Sequence, residues 1–242
     1  MRQDVIIEGF SERYGDGVHV GWHSHDAVQI AFATAGVMRI QTRGGIWTLP
    51  PGRALLIPLE VEHMIDCMGT VLMRTVYIRG ETSISWQPFA VLNVSPLLRE
   101  LIVRFCCTPE EGSIASMTEL LFREVACSHS LDLELPLPVQ PKLRRICELL
   151  LDLPDAERTE KAAAMLAAMS ERTFVRQFKA ATGLDFRQWR LRARLLQALA
   201  QIVVGESVST AAFASGYRSA SAFSAAFRKV FGTIPSTYSR QG

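Results

Sequence analysis

Ala-Ser-Gly-Tyr-Arg-Ser-Ala-Ser-Ala-Phe-Ser-Ala-Ala-Phe-Arg-Lys-Val-Phe-Gly-Thr-Ile-Pro-Ser-Thr-Tyr, residues 214–238, decides how the second half of the chain folds. Ser219 stands where a helix N-cap belongs, Phe223 and Phe227 follow one turn apart, Arg228 lies near the end, and Gly232 supplies a left-handed stop. The same order occurs 49 residues earlier, where Ser170, Phe174, Phe178, Lys179 and Gly183 match position for position. Each copy predicts a helix of about three turns. Small-residue helices are predicted ahead of them, over 160–168 and 208–215, with Gly216 in the second turn. Small side chains let two helices cross closely at a steep angle, as a helix-turn-helix requires. Two such units are predicted.

Between them, 185–204 reads as one long helix. Trp189, Leu191, Leu195, Leu196, Leu199 and Ile202 are its apolar positions, and Arg187, Arg190 and Arg194 form a basic stripe. A rigid connector of this kind can present two reading helices to successive major grooves, roughly 34 Å apart. A helical bundle with a solvated basic face is the plainer alternative.

Working outward, residues 131–141 hold three prolines (Pro136, Pro138, Pro141), which exclude a helix and predict an extended linker. Residues 1–136 carry 10 arginines and no lysine against 16 acidic side chains, a balance of −6; residues 137–242 carry 16 basic against 8 acidic, a balance of +8. The formal total of +2 is a cancellation. All five histidines lie in the acidic part. Such asymmetry is the footprint of one domain that meets a polyanion beside another that does something else.

With 48% hydrophobic and 21% charged residues, disorder, collagen-like repeats and a disulfide scaffold are excluded. No apolar run approaches the roughly 18 residues of a membrane span, and the N-terminus lacks an apolar export segment. The expected location is cytoplasmic, nucleoid-associated when bound to DNA. The odd set Cys67, Cys106, Cys107, Cys127 and Cys147, without a Cys-x-x-Cys spacing, reads as reduced and mostly buried thiols.

Residues 142–240 resemble the DNA-binding domain of the AraC/XylS family of bacterial transcription regulators, which carries two helix-turn-helix units bridged by a long helix. The stretches that carry the resemblance are 169–183 and 214–238, the latter ending in the family's Phe-Gly-x-x-Pro-x-x-Tyr pattern. The resemblance implies double-stranded promoter DNA as partner, with RNA polymerase as a further one. It implies base-facing positions at Arg172, Val175 and Arg176 in the first unit and at Ala220, Ser221, Ser224 and Ala225 in the second. An arginine can donate two hydrogen bonds to guanine, whereas the short side chains of the second unit touch a thymine methyl or offer one hydroxyl. Lys179, Arg218, Arg228 and Lys229 are then phosphate contacts that set register.

In the acidic half, short apolar runs between Val18 and Ile78 alternate with Gly and Pro, predicting the strands of a small barrel. Helices with an apolar face are predicted over 96–107 and 116–128. Their apolar faces suit either a homodimer interface or packing back onto the barrel. His23 and His25 point the same way on an extended strand. With Gln29, Gly36, Gly52, Pro58 and His63, they match the spacing of the two cupin motifs. Two identities depart from that pattern: Gln29 replaces a Glu, and Glu60 replaces a Gly. The resemblance implies a site at His23, His25, Gln29 and His63. Three imidazoles and an amide oxygen suit zinc, nickel or iron; the same residues also suit a metal-free effector pocket or a structural role.

The expected fold is therefore α+β in two domains: a cupin-like β-barrel with following helices (1–130), a linker (131–141) and an all-α double helix-turn-helix domain (142–242). The leading functional reading is a DNA-binding transcription regulator, not an enzyme, controlled by a small molecule or divalent metal in the barrel. The rival is a metal-dependent cupin oxygenase or isomerase with a helical appendage.

Overall fold

The computed structural model describes residues 5–80, 89–107, 111–128, 133–152 and 159–239. The chain forms two compact units, Met1–Ile40 with Leu49–Leu133 and Gln41–Thr48 with Glu134–Arg240. Residues 131 and 132 of the proline-rich connector lie outside the described residues.

The first half of the chain is built from β1 (Ile6–Tyr14), β2 (His19–His23), β3 (Val28–Ala33), β4 (Val37–Gln41), β5 (Gly45–Leu49), β6 (Arg53–Ile57), β7 (His63–Met68), β8 (Val71–Arg79) and β9 (Ala90–Asn93). Helices α1 (Pro96–Phe105) and α2 (Glu111–Cys127) follow, then a short strand β10 (Glu134–Pro136). The strands form two five-stranded sheets, ordered β1-β8-β3-β6-β9 and β10-β5-β4-β7-β2. The expected cupin-like fold is present, as an open sandwich rather than a closed barrel. Among the described residues each sheet keeps two edge strands, and those edges do not pair with one another.

Alternation along the strands fixes which side chains face where. Val28, Ile30 and Phe32 of β3 and Val76 and Ile78 of β8 pack against Leu98, Leu101, Ile102 and Phe105 of α1 and Leu121 and Val125 of α2. The helix pair thus covers one face of the first sheet, which is why β3 is buried on both sides. Gly9 of β1 lies under α1, where an added Cβ would fall 2.4 Å from the Phe105 carbonyl group. The intervening residues, Gln29 on β3 and Met73, Thr75, Tyr77 and Arg79 on β8, face a cavity on the opposite side.

The second unit holds α3 (Pro141–Asp152), α4 (Glu160–Leu166), α5 (Glu171–Thr182), α6 (Phe186–Val203), α7 (Val208–Ala214) and α8 (Ala220–Phe231). Ser170 and Ser219 cap α5 and α8 through their hydroxyls, and Gly183 and Gly232 end them, each at φ 73°. The α4–α5 and α7–α8 turns share one hydrogen-bond pattern: Ala168 N–H to Met165 and Met169 N–H to Ala164, against Gly216 N–H to Phe213 and Tyr217 N–H to Ala212. Ala168 adopts φ 54° where the second copy has Gly216 at 79°. Phe174 and Phe178 pack edge-on against Phe186 of α6, at 5.2 and 5.3 Å between ring centres. An 18-residue α6 is about 27 Å long at 1.5 Å per residue, enough to separate the two units rigidly.

Candidate functional site

The expected histidine cluster assembles, though not by simple strand alternation. β2 pairs antiparallel with β7, and its register shifts between Val20 and His23, so that His23 lies directly across from His63. This bulge turns His23 to the side that Val20 faces and leaves Trp22 44% exposed. His25 lies beyond the end of β2, which corrects the expectation that His23 and His25 share one strand. Its carbonyl accepts the Glu60 N–H at 2.7 Å. The ring centres of His23 are 4.9 Å from His25 and 4.3 Å from His63. One ligating atom from each of the three lies within 4.8 Å of the others.

Glu60 itself sits at φ 60°, in the left-handed region. This is the position where the cupin pattern has Gly, and the backbone geometry explains that preference. A non-glycine residue in this region costs about 1–2 kcal/mol, against about 0.4–1 kcal/mol of chain entropy that a Gly gives back. Glu60→Gly is expected to raise stability by up to about 1.5 kcal/mol. A urea midpoint that falls in this variant would contradict that reading.

The hydrogen bonds orient the site. The Nδ1 atoms of His23 and His63 lie 2.7 and 2.9 Å from the carbonyl oxygens of Gly21 and Val61. A carbonyl can only accept, so each Nδ1 carries a proton, and Nε2 is the atom left to face the cluster. Gln29 Nε2 donates to Thr75 Oγ1 at 3.0 Å, and that hydroxyl donates onward to the Ile30 carbonyl at 3.3 Å. Gln29 Oε1 and His63 Nε2 are buried with no partner. Tyr77 OH lies 3.3 Å from His25 Nε2. Burial lowers the His63 pKa to about 4, and burial with the neighbouring His23 lowers that of His25. Both rings are neutral at pH 7, as ligation requires. The site therefore holds two buried acceptors, Gln29 Oε1 and His63 Nε2, that no donor meets, and its ligand types fit a divalent transition metal.

Above it lies a cavity of about 350 Å³ within the first unit. Alternate residues of β1, Glu8, Phe10, Glu12 and Tyr14, form another part of its wall, beside Tyr77 of β8. Sequence reasoning missed this wall, because polar residues occupy both faces of β1 and no apolar alternation marks it as a strand.

In the second unit, Arg172, Arg176 and Lys179 project from α5 into solvent, on the side away from the buried Phe174 and Phe178. Val175 is half-buried. On α8, Ser221 and Ala225 are exposed, Ala220 and Ser224 half-buried, and Arg228 and Lys229 exposed near its end, with Arg218 exposed just before it. Among the described residues none of these six basic side chains meets an acidic partner. Arg187, by contrast, reaches Glu160 at 3.5 Å, so the stripe on α6 is partly spent inside the unit.

A sheet sandwich with a ligand-sized cavity, followed by two helix-turn-helix units on a rigid spacer, defines a DNA-binding transcription regulator with a ligand-binding domain. The comparisons agree and give the family. An AraC-like ligand binding domain matches residues 5–135 and a helix-turn-helix domain matches 163–241. The HTH-type transcriptional regulator NimR of Escherichia coli (strain K12) is 31% identical over 220 residues, 89% of this chain and 81% of NimR. RipA of Corynebacterium glutamicum, also an HTH-type transcriptional regulator, is 26% identical over 213 residues, 88% of this chain and 62% of RipA. Among solved structures, ToxT of Vibrio cholerae aligns over 97% of this chain and 98% of its own, at 10% identity and a TM-score of 0.43. The chain belongs to the AraC family of transcription regulators. Its relatives are regulators, which sets aside the rival expectation of a cupin oxygenase or isomerase. Among the described residues no helix is long and apolar enough to cross a membrane.

Proposed function

We propose that the protein reads promoter DNA mainly through Arg172, Val175 and Arg176 of α5 and is controlled by a ligand held in the cavity of the first unit. The observation that carries the control site is a pair of buried, unpartnered acceptors, Gln29 Oε1 in the lining of the cavity and His63 Nε2 in the adjoining histidine cluster. A buried polar atom left without a partner costs about 1–3 kcal/mol, so a site holding two of them favours a species that brings donors or positive charge. Ala220, Ser221, Ser224 and Ala225 of α8 make the less selective contacts, while Lys179, Arg218, Arg228 and Lys229 hold phosphates. Ligand binding then shifts the population of DNA-competent conformations. Titration of a selected operator at several salt concentrations tests this reading. Affinity that falls steeply with salt, with a clear preference over scrambled DNA, is the expected result. Binding no tighter than to scrambled DNA would sink it.

The lone pairs of the imidazoles favour a second reading, in which the ligand is a divalent transition metal. His23, His25 and His63 would hold it, with Gln29 Oε1 as a fourth ligand, and zinc, nickel or iron suits that set. Bound there, the metal would supply a positive charge that satisfies the orphaned acceptors. Elemental analysis is expected to find one metal per chain in the parent and none in His23→Ala or His63→Ala. Unchanged metal content in both variants rejects the reading.

A further inference from the structure

The imidazoles account for one side of the cavity only. The other side, on β1, is acidic and aromatic. Alternation puts Glu8, Phe10, Glu12 and Tyr14 on the same face of this strand, and all four line the cavity. Glu8 is tied to Arg79, which also holds Asp26. Glu12 is different: it accepts a hydrogen bond from Tyr14 OH at 2.7 Å and meets no basic side chain among the described residues. Beside it Phe10 remains 53% exposed although it is a large aromatic, and its ring meets Tyr77 edge-on at 5.6 Å. The cavity wall thus offers one unpaired carboxylate next to aromatic rings, and its floor offers the unpartnered acceptor Gln29 Oε1, on a residue only 1% exposed.

We propose that the cavity binds a small organic cation, an amine or amidine on an aromatic or apolar body, with its charge at Glu12 and against the rings of Phe10 and Tyr77. This rests on the reading that the cavity is the control site, and names the ligand class. Three features separate it from the metal reading. Among the described residues no carboxylate oxygen joins the three imidazoles within the ligating distance, so the negative charge of Glu12 lies where a metal at the histidines would not use it. At about 350 Å³ the cavity falls in the range of small-molecule pockets and far exceeds the space of one ion. Aromatic faces attract an organic cation electrostatically and bury its apolar body, whereas a divalent metal takes its ligands from nitrogen and oxygen. An N–H of the same ligand can satisfy the unpartnered Gln29 Oε1, which an anion or an apolar molecule would leave unsatisfied.

The test is calorimetric titration of the full chain, stripped with a chelator, with benzamidine and phenethylamine and with their uncharged counterparts benzamide and 2-phenylethanol. Each cation is expected to bind about tenfold or more tighter than its counterpart, as charge-assisted contacts do. Glu12→Gln keeps the shape and the Tyr14 hydrogen bond, and is expected to abolish that preference; Phe10→Leu keeps the apolar bulk and is expected to weaken the cations severalfold. Uncharged compounds that bind as tightly as the cations, or a preference that survives Glu12→Gln, overturn the proposal. If zinc or nickel binds and neither cation does, the cation class falls while the cavity stands as the control site. If neither metal nor any of the four compounds binds, both readings fall together.

Discussion

Arg176→Ala is expected to lower affinity for a selected operator by about 5–150-fold while leaving affinity for scrambled DNA nearly unchanged, because one bidentate arginine–guanine pair is worth about 1–3 kcal/mol of discrimination. Arg176 is placed for this by the helix that carries it. Phe174 and Phe178 are fully buried and fix the rotation of α5, so the position between them and one turn from Arg172 faces solvent. α8 has no residue of comparable reach at its equivalent positions, so α5 carries most of the sequence discrimination. Lys229→Ala is the control: it lies at the end of α8, away from the base-facing positions, and should weaken all sequences alike and flatten the salt dependence by about one phosphate contact. Equal losses on operator and scrambled DNA for Arg176→Ala would reassign that residue to the phosphates.

Helical caps and aromatic pairs are local, and the second unit was accordingly legible from sequence: both serine caps, both glycine stops and the spacer helix appear where the repeat puts them. α3 was not legible, because its apolar face, with Leu143, Ile146, Cys147 and Leu150 buried, begins directly at the last of three closely spaced prolines, which mask a helix start. In the first unit the histidine spacing was legible and its geometric cause was not. The β-bulge that turns His23 toward His63 depends on the pairing of β2 with β7, and pairing partners forty residues apart leave no mark on either strand alone. β1 was missed for a related reason. One of its faces packs under α1 through Gly9 and the other lines a polar cavity, so neither shows the apolar run by which a buried strand is recognised. Glu60 carried a visible signal, since it departs from the Gly of the cupin pattern, but only its positive φ shows what that Gly is for.

The largest stability effect is expected at Trp189. Its side chain is fully buried on α6, its ring stands edge-on to Phe178 at 6.0 Å, and its indole Nε1 donates to the Pro136 carbonyl at 2.7 Å. Arg192, one turn along the same helix, donates to the Glu134 carbonyl at 3.2 Å. These two bonds fasten β10 to α6, while the other edge of β10 pairs with β5 from Glu134 opposite Trp47 to Pro136 opposite Gly45. The prolines that exclude a helix here leave backbone carbonyls in need of donors, and the spacer helix supplies them. Trp189→Ala removes both the packing and the donor, and a buried aromatic truncated to Ala costs about 3–5 kcal/mol. Against a total stability on the order of 5–15 kcal/mol that is enough to bring the second unit close to unfolding. Trp189→Phe separates the two contributions: it keeps most of the ring in the Phe174, Phe178 and Phe186 cluster and loses only the hydrogen bond, for about 1–3 kcal/mol. Urea unfolding of both variants, followed by far-ultraviolet dichroism, should therefore rank Ala well below Phe and Phe below the parent. A Trp189→Phe variant as stable as the parent would mean that the bond to Pro136 holds nothing in place, and a Trp189→Ala variant within 1 kcal/mol of the parent would deny this tryptophan its place at the centre of the core.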